Sequence, residues 1–381
     1  MAPRIRLGMV GGGKDAFIGA VHRIAARIDG EFELVAGALS STPERSRESG
    51  LALGLDPARC YAGFEAMAEA EAARPDGIEA VSIVTPNHVH GAAAAAFLKR
   101  GIHVICDKPL TATMAQATEL EEAVRASKAL FLLTHNYTGY PLIRQAREMV
   151  ASGALGQLRI VQVEYAQDWL TEASEGTGTN KQAEWRTDPE RSGAGGSIGD
   201  IGTHAHNLAC FVTGLKVERL SADLQSFVPG RRVDDNAHIL LRFEGGVRGM
   251  LWCSQVAVGC ENALRLRVFG DKGGLEWAQE EPNHMWFTRF GEPKQLLTRR
   301  GAGASEAANA VSRTPGGHPE GYLEGFANLY VGAASAIRAA GEGRRDPVLD
   351  VLPGLEAGLS GMRFIDACVR SSGGDAAWVT L

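Results

Sequence analysis

What the chain lacks narrows its class before any motif is read. None of its 381 residues fall in an apolar run long enough to span a bilayer. The first residues, Met1-Ala2-Pro3-Arg4, run straight into a strand-like segment, with no apolar signal region and small-residue cleavage site. No basic run is longer than a pair such as Arg299-Arg300 or Arg344-Arg345, and the formal net charge is −6. A nucleic-acid partner needs a basic face, so that class is excluded, and no membrane partner is expected. The cysteines (Cys60, Cys106, Cys210, Cys253, Cys260 and Cys368) contain no C-x-x-C pair. This argues against a disulfide framework or zinc site and reads as reduced thiols in a cytoplasm.

What remains is ordinary globular material, 45% hydrophobic and 22% charged, long enough for two domains. The first third alternates strand-like runs (4–10, 33–39, 80–84, 102–106, 130–134) with helical spacing (16–28, 43–53, 90–100, 115–127). Repeated β-α-β units predict an α/β Rossmann domain, a doubly wound parallel sheet, over residues 1–135. After about residue 156 longer alternating strands take over (159–168, 217–228, 237–243, 247–254, 263–269), with turns at Gly245-Gly246 and at 271–274. Residues 136–381 are therefore predicted as an α+β domain with a large open, mostly antiparallel sheet. Helices are expected from near Gly202, over 322–340 and over 354–370, the last packing back on the first domain. Residues 171–181 and 299–317 read as long functional loops.

The segment Gly11-Gly12-Gly13-x-x-Ala16 fits G-x-G-x-x-G/A directly after a strand and opening a helix. The glycines allow a tight turn and close approach to a pyrophosphate, and Ala16, Phe17 and Ile18 open the helix whose N-terminus faces the phosphates. NAD-selective chains put an acid at the tip of the second strand to hold the ribose. Here the tip is Ser40-Ser41-Thr42-Pro43-Glu44-Arg45. Hydroxyls of Ser40 and Ser41 with Arg45 suit a 2′-phosphate, so NAD(P) is expected with NADP favoured; Glu44 or a backbone contact would serve NAD. Ser41 or Thr42 also reads as a plain helix cap. Thr85, Pro86 and Asn87 follow a parallel strand at its carboxyl end, where cofactor contacts belong.

These residues, with His22, Thr85-Pro86-Asn87-His88-Val89-His90, the run 101–109 ending in Asp107-Lys108-Pro109, and the run 195–204 ending in Asp200-Ile201-Gly202-Thr203-His204, resemble the Gfo/Idh/MocA oxidoreductases over nearly the whole chain. The family usually has Glu-Lys-Pro where this chain has Asp107-Lys108-Pro109. The resemblance implies that Lys108, Asp200 and His204 are catalytic, and that His90, Asp107 and Lys108 join the cofactor contacts. Residues 165–169 and 185–189 look like the levoglucosan dehydrogenase branch.

Asp200 and His204 are four apart, which on a helix puts them on one face. An imidazole titrates near neutrality and suits a hydroxyl proton. Lys108 suits a developing alkoxide, and Asp200 the orientation of hydroxyl or imidazole. Which of Lys108 and His204 takes the proton stays open. The pairs His204/His206 and His88/His90 are spaced by two, with no clear third ligand, so no metal is expected. Tyr137, Gln167, Asp168, Trp169, Lys181, Trp185, Arg186 and His318, with Asp200 and His204, combine flat rings with polar groups and suit a carbohydrate or polyol.

The activity so implied is NAD(P)-dependent oxidation of a secondary hydroxyl on a cyclic sugar, anhydrosugar or polyol. A redox-assisted glycoside hydrolase is the alternative, with Tyr137, Tyr140 or His318 as the added base; a non-catalytic dinucleotide sensor is the third. The open sheet needs its outer face covered or polar. Leu264, Leu266 and Val268 alternate with Arg265 and Arg267, and a homodimer or homotetramer through this sheet is expected.

Overall fold

Strand β3 (Ala80–Val84), with every residue buried, shows how the first sheet is built. Such a run fits only a strand covered on both faces. It lies at the centre of a five-stranded parallel sheet, order β2-β1-β3-β4-β5, with β1 (Ile5–Gly11), β2 (Phe32–Ala38), β4 (His103–Cys106) and β5 (Phe131–Leu133). The computed structural model describes residues 2–14, 16–178 and 180–381. Helices Phe17–Ile28, Pro43–Ala52, Asn87–Leu98 and Met114–Ala126 supply crossovers at the expected places. The strand order reverses between β1 and β3, so their carboxyl ends flank the crevice where such sheets take ligands.

The second sheet has nine strands: β6 (Leu158–Ala166), β7 (Val217–Gln225), β8 (Asn236–Phe243), β9 (Arg248–Ser254), β10 (Ala263–Gly270), β11 (Gly273–Ala278), β12 (His284–Arg289), β13 (Gln295–Thr298) and β14 (Val379–Thr380). Their order is β13-β12-β11-β10-β6-β9-β8-β7-β14, and the β6–β9 pair alone is parallel among the described pairings. The expected mixture of one parallel and one mostly antiparallel sheet is therefore what the chain forms. Strands β11 to β13 were not expected. Gly273-Gly274 reads as a turn, but Gly274 pairs with Phe269 and Gly273 with Arg289 inside the sheet.

Alternation sets the two faces. Leu264, Leu266 and Val268 are fully buried, with Leu275, Trp277, Leu241 and Leu251 on the same side. The opposite face pairs Arg265 and Arg267 with Glu164, yet also exposes Ile160, Leu240, Met250, Trp286 and Leu296. Contacts divide the chain into two units, Met1–Asn136 with Phe326–Leu359, and Tyr137–Gly325 with Ser360–Leu381. A single cut at 135/136 thus misses the return of 326–359 to the first unit. There Tyr330, on the helix Tyr322–Gly341, stands 2.8 Å from His22 Nδ1 and 2.9 Å from the Ser82 hydroxyl, while Ser82 stands 3.0 Å from the same nitrogen. These three fully buried polar groups hydrogen-bond to one another across β3, the first crossover helix and the returning helix, through Nδ1 of the ring. No helix among the described residues is long and apolar enough to cross a membrane, and all six cysteines are free.

Burial lowers His22 from 6.5 to about 4, with Asp107 opposing, and lowers His206, stacked on Phe364, also to about 4. Both rings bind a proton more weakly folded than unfolded, so their contribution is complete above pH 6.5 and is lost as pH falls through the interval down to about 4. Between pH 7 and pH 5 the expected loss is ~2 kcal/mol for each ring. Urea unfolding at pH 7 and at pH 5 measures it. His206→Asn should be less stable at pH 7 and show a shallower decline; an equal decline in both proteins would refute the assignment.

Candidate active site

Gly11 and Gly12 have φ of +79° and +70°, a region that costs other residues strain. A Cβ on Gly12 would lie 2.9 Å from the Gly19 Cα, one on Gly19 2.3 Å from the Gly12 Cα, and one on Gly13 2.6 Å from the Leu39 carbonyl oxygen. The turn and the first helix therefore cross backbone to backbone. Gly19 makes the close approach that the sequence pattern assigned to Ala16; Ala16 instead occupies the N-cap without a side-chain cap bond. Phe17 is exposed, while Ile18 packs on Met9, Leu39, Leu55 and Val84. A Cβ on Gly11 would meet Val84 O at 2.7 Å and the Thr85 side chain at 2.9 Å, so the turns after β1 and β3 abut. These tight glycine contacts and the open helix N-terminus fit a dinucleotide pyrophosphate.

Thr42 caps the helix Pro43–Ala52 without a side-chain bond, and Ser41, Thr42 and Arg45 are exposed, with Ser40 half-buried beside them. Pro86 caps the helix that starts at the buried Asn87. After β4, the Asp107 carboxylate accepts from the Lys108 N–H at 3.0 Å and from the Thr134 hydroxyl at 2.9 Å; Lys108 is half-buried. His90 differs from its expected place: it is fully buried, and both ring nitrogens face backbone carbonyls rather than the crevice.

In the second unit a π-helical turn, Ile198–Gly202, carries Asp200 and leads into the helix Thr203–Thr213, which carries His204. The simple helical face expected from their spacing is thus widened at Asp200, a feature common at functional sites. The Asp200 carboxylate accepts from Arg186 Nε at 3.2 Å and from the Gln255 amide at 2.9 Å. The Arg186 guanidinium lies 4.2 Å from the Trp185 ring centroid and 5.9 Å from that of Trp169. The nearly buried His204 ring stands 4.9 Å from Tyr137, edge to face. The Tyr137 and Tyr165 hydroxyls are 2.6 Å apart; Tyr165 donates to Asn262 Oδ1, which also accepts from Gln167, and Gln167 Oε1 accepts from Trp169.

One polar wall therefore joins Tyr137, Gln167 and Trp169, and a second cluster joins Trp169, Trp185, Arg186 and Asp200. Asp168 is turned elsewhere, accepting from the Gly259 N–H, and His318 is exposed on a loop where its carbonyl accepts from Arg299. Lys181 is exposed at a helix start. Gln255, Asn262 and Asp234 escaped the sequence reading, since each lies just before or after a strand without a motif.

Asp234 organises the π-helical turn from below. Its buried carboxylate accepts from Gly196 N–H (2.7 Å), the Ser197 hydroxyl (2.6 Å) and Ile198 N–H (2.8 Å), while its carbonyl accepts from Ser197 N–H. Burial raises this carboxyl and the three donors pull it back. Nearby, the fully buried Arg231 pairs with Asp235 and Glu175 and donates to the Leu170 carbonyl, pinning the start of the 171–181 loop.

Such a fold, with a glycine turn suited to a nucleotide on one unit and a polar, aromatic-lined π-helical turn on the other, is that of a dinucleotide-dependent oxidoreductase. Residues 5–146 match the oxidoreductase family with an NAD-binding Rossmann fold, GFO/IDH/MocA, and residues 143–276 match the GFO/IDH/MocA C-terminal domain. The chain belongs to this family. It is 36% identical to the uncharacterized oxidoreductase YfiI of Bacillus subtilis (strain 168), over 98% of this chain and 96% of that one. It is 62% identical to an oxidoreductase from Sinorhizobium meliloti whose crystal structure superposes with a TM-score of 0.90, covering 99% and 100% of the two chains. An inositol dehydrogenase homolog from Azotobacter vinelandii, complexed with NADH and myo-inositol, is 38% identical with a TM-score of 0.92, over 100% and 98%. Levoglucosan dehydrogenase of Pseudarthrobacter phenanthrenivorans (strain DSM 18606 / JCM 16027 / LMG 23796 / Sphe3) is 27% identical over 74% of this chain and 75% of its own.

Asp234→Asn places an amide against three donors. The expected result is ~1–3 kcal/mol of lost stability and at least a tenfold loss in kcat/KM, with cofactor affinity within threefold of the parent. Titration of cofactor fluorescence beside steady-state kinetics checks this; cofactor affinity falling in step with activity would contradict it.

Proposed function

We propose that this enzyme oxidises a secondary hydroxyl of a cyclic polyol, sugar or anhydrosugar, using NAD(P)+. The observation that supports this most is the Asp200 cluster. A carboxylate fixed by Arg186 and Gln255, beside the Trp169 and Trp185 rings and the Gln167 and Asn262 amides, offers hydroxyl acceptors next to flat apolar faces. That is the chemistry a ring of hydroxyls requires. The myo-inositol complex of the Azotobacter vinelandii homolog points the same way.

Bound nicotinamide supplies the hydride acceptor. Lys108 polarises the substrate oxygen and stabilises alkoxide character as the proton leaves, and His204 shares the acid/base work. Asp200, held by Arg186 and Gln255, orients the hydroxyl. At the adenosine end, the exposed hydroxyls of Ser41 and Thr42 with Arg45 favour NADP+, while the Azotobacter relative, complexed with NADH, makes NAD+ the competing outcome. The elimination route needs an added base beside the ring. Tyr140 is buried, which pushes its phenol well up, and His318 is held on an exposed loop. Both features favour simple oxidation.

Absorbance at 340 nm, with polyols, sugars, anhydrosugars and glycosides against NAD+ and NADP+ separately, tests this. Reduced cofactor should form with one class of substrate, faster with NADP+, and Lys108→Ala should lower kcat at least 100-fold. Aglycone release without net reduction would move the assignment to a glycosidase.

A second copy of the chain covers the outer face of the nine-stranded sheet, where Ile160, Leu240, Met250, Trp286 and Leu296 stand exposed among ion pairs. Sedimentation at micromolar concentration should show a dimer or tetramer, and Met250→Glu with Leu240→Glu should shift it to monomer. A monomeric parent protein would end the idea.

A further inference from the structure

We propose that His90 is a positioning residue that clamps the Lys108 turn to the Thr85 turn. The inference rests on the role given to Lys108 above. His90 lies on the first turn of the helix Asn87–Leu98 and is fully buried. Its Nδ1 stands 2.8 Å from the Pro109 carbonyl oxygen and its Nε2 2.9 Å from the Thr85 carbonyl oxygen. One ring therefore spans two loops, the one that follows β3 and abuts the glycine turn, and the one that follows β4 and carries Lys108.

Carbonyl oxygens only accept, so each nitrogen bonding one must carry a proton. A neutral imidazole serves one carbonyl at a time; the protonated ring serves both. Burial works against the second proton, Asp107 and the two carbonyls favour it, and Lys108 opposes it. In either state the ring fills the space between the loops and donates at least one bond. A second brace runs alongside: Gln116 accepts from Ala112 N–H at 3.2 Å and donates to the His88 carbonyl at 3.4 Å. Gly91, the next residue on the helix, would bring a Cβ within 3.4 Å of the Thr111 side chain, so the helix lies close against the chain that leaves Pro109. The carbonyl that His90 holds belongs to Pro109, the residue next to Lys108. Loss of the ring frees the peptide beside the lysine while leaving the strands intact, and displacements of about 1 Å at a catalytic group can cost 100-fold in rate.

The test pairs hydrogen–deuterium exchange with kinetics on His90→Ala and His90→Gln in the full-length protein. In His90→Ala, exchange should quicken at 85–88 and at 107–111 but not in 80–84 or 103–106. With saturating cofactor, kcat should fall at least tenfold while KM for the polyol stays within twofold. His90→Gln, whose amide still donates, should recover part of both effects. Unchanged exchange at the two loops would overturn the clamp, as would a uniform rise across the unit with kcat and KM moving together. If the parent protein reduces no cofactor with any substrate, the functional reading fails, yet exchange at the two loops still decides whether His90 joins them.

Discussion

The crossing of Gly12 over Gly19 is the constraint on which the nucleotide half depends. With each Cα pressed against where the other's Cβ would stand, β1 and the first helix meet at backbone distance. That contact fixes where the helix N-terminus points, and the φ values of Gly11 and Gly12 fix how the chain reaches it. The neighbouring turn after β3 then closes against Gly11. The surface of this turn is thus set by missing atoms rather than by side chains.

The second unit works by another principle. Its functional turn is held by buried charge. Asp234 gathers three donors under the π-helical turn, Arg231 pairs with Asp235 and Glu175 to hold a loop, and Arg299 pairs with Glu320 beneath another. Buried ion pairs contribute little net stability against a well-packed apolar core, but removing one partner is costly. They therefore act here as geometric specification. Loops that lack regular hydrogen bonding are given one reproducible path, and Asp200, Arg186 and Trp169 are delivered to one cluster.

Most of the first sheet was legible because a strand covered on both faces is a short, mostly apolar run, as 80–84 and 104–106 are. The family was legible because Asp-Lys-Pro and the 195–204 run place unusual chemistry at the ends of elements. The three strands after Gly273 were not, since paired glycines in a hairpin look the same whether they turn or pair. Nor does any pattern announce Gln255, Asn262 or Asp234, which matter only through partners distant in sequence. His90 shows the complementary failure: its motif was visible, but its direction, inward to two carbonyls, follows from packing alone.

The return of residues 326–359 has a consequence for how the chain comes into being. Tyr330 closes the triad with His22 and Ser82, and Leu133 N–H donates to the Pro353 carbonyl. A chain emerging from the ribosome presents the whole parallel sheet some two hundred residues before either partner exists. During that interval the buried His22 has no phenol beside it and the edge of β5 has no acceptor. The nucleotide half, made first, is completed last.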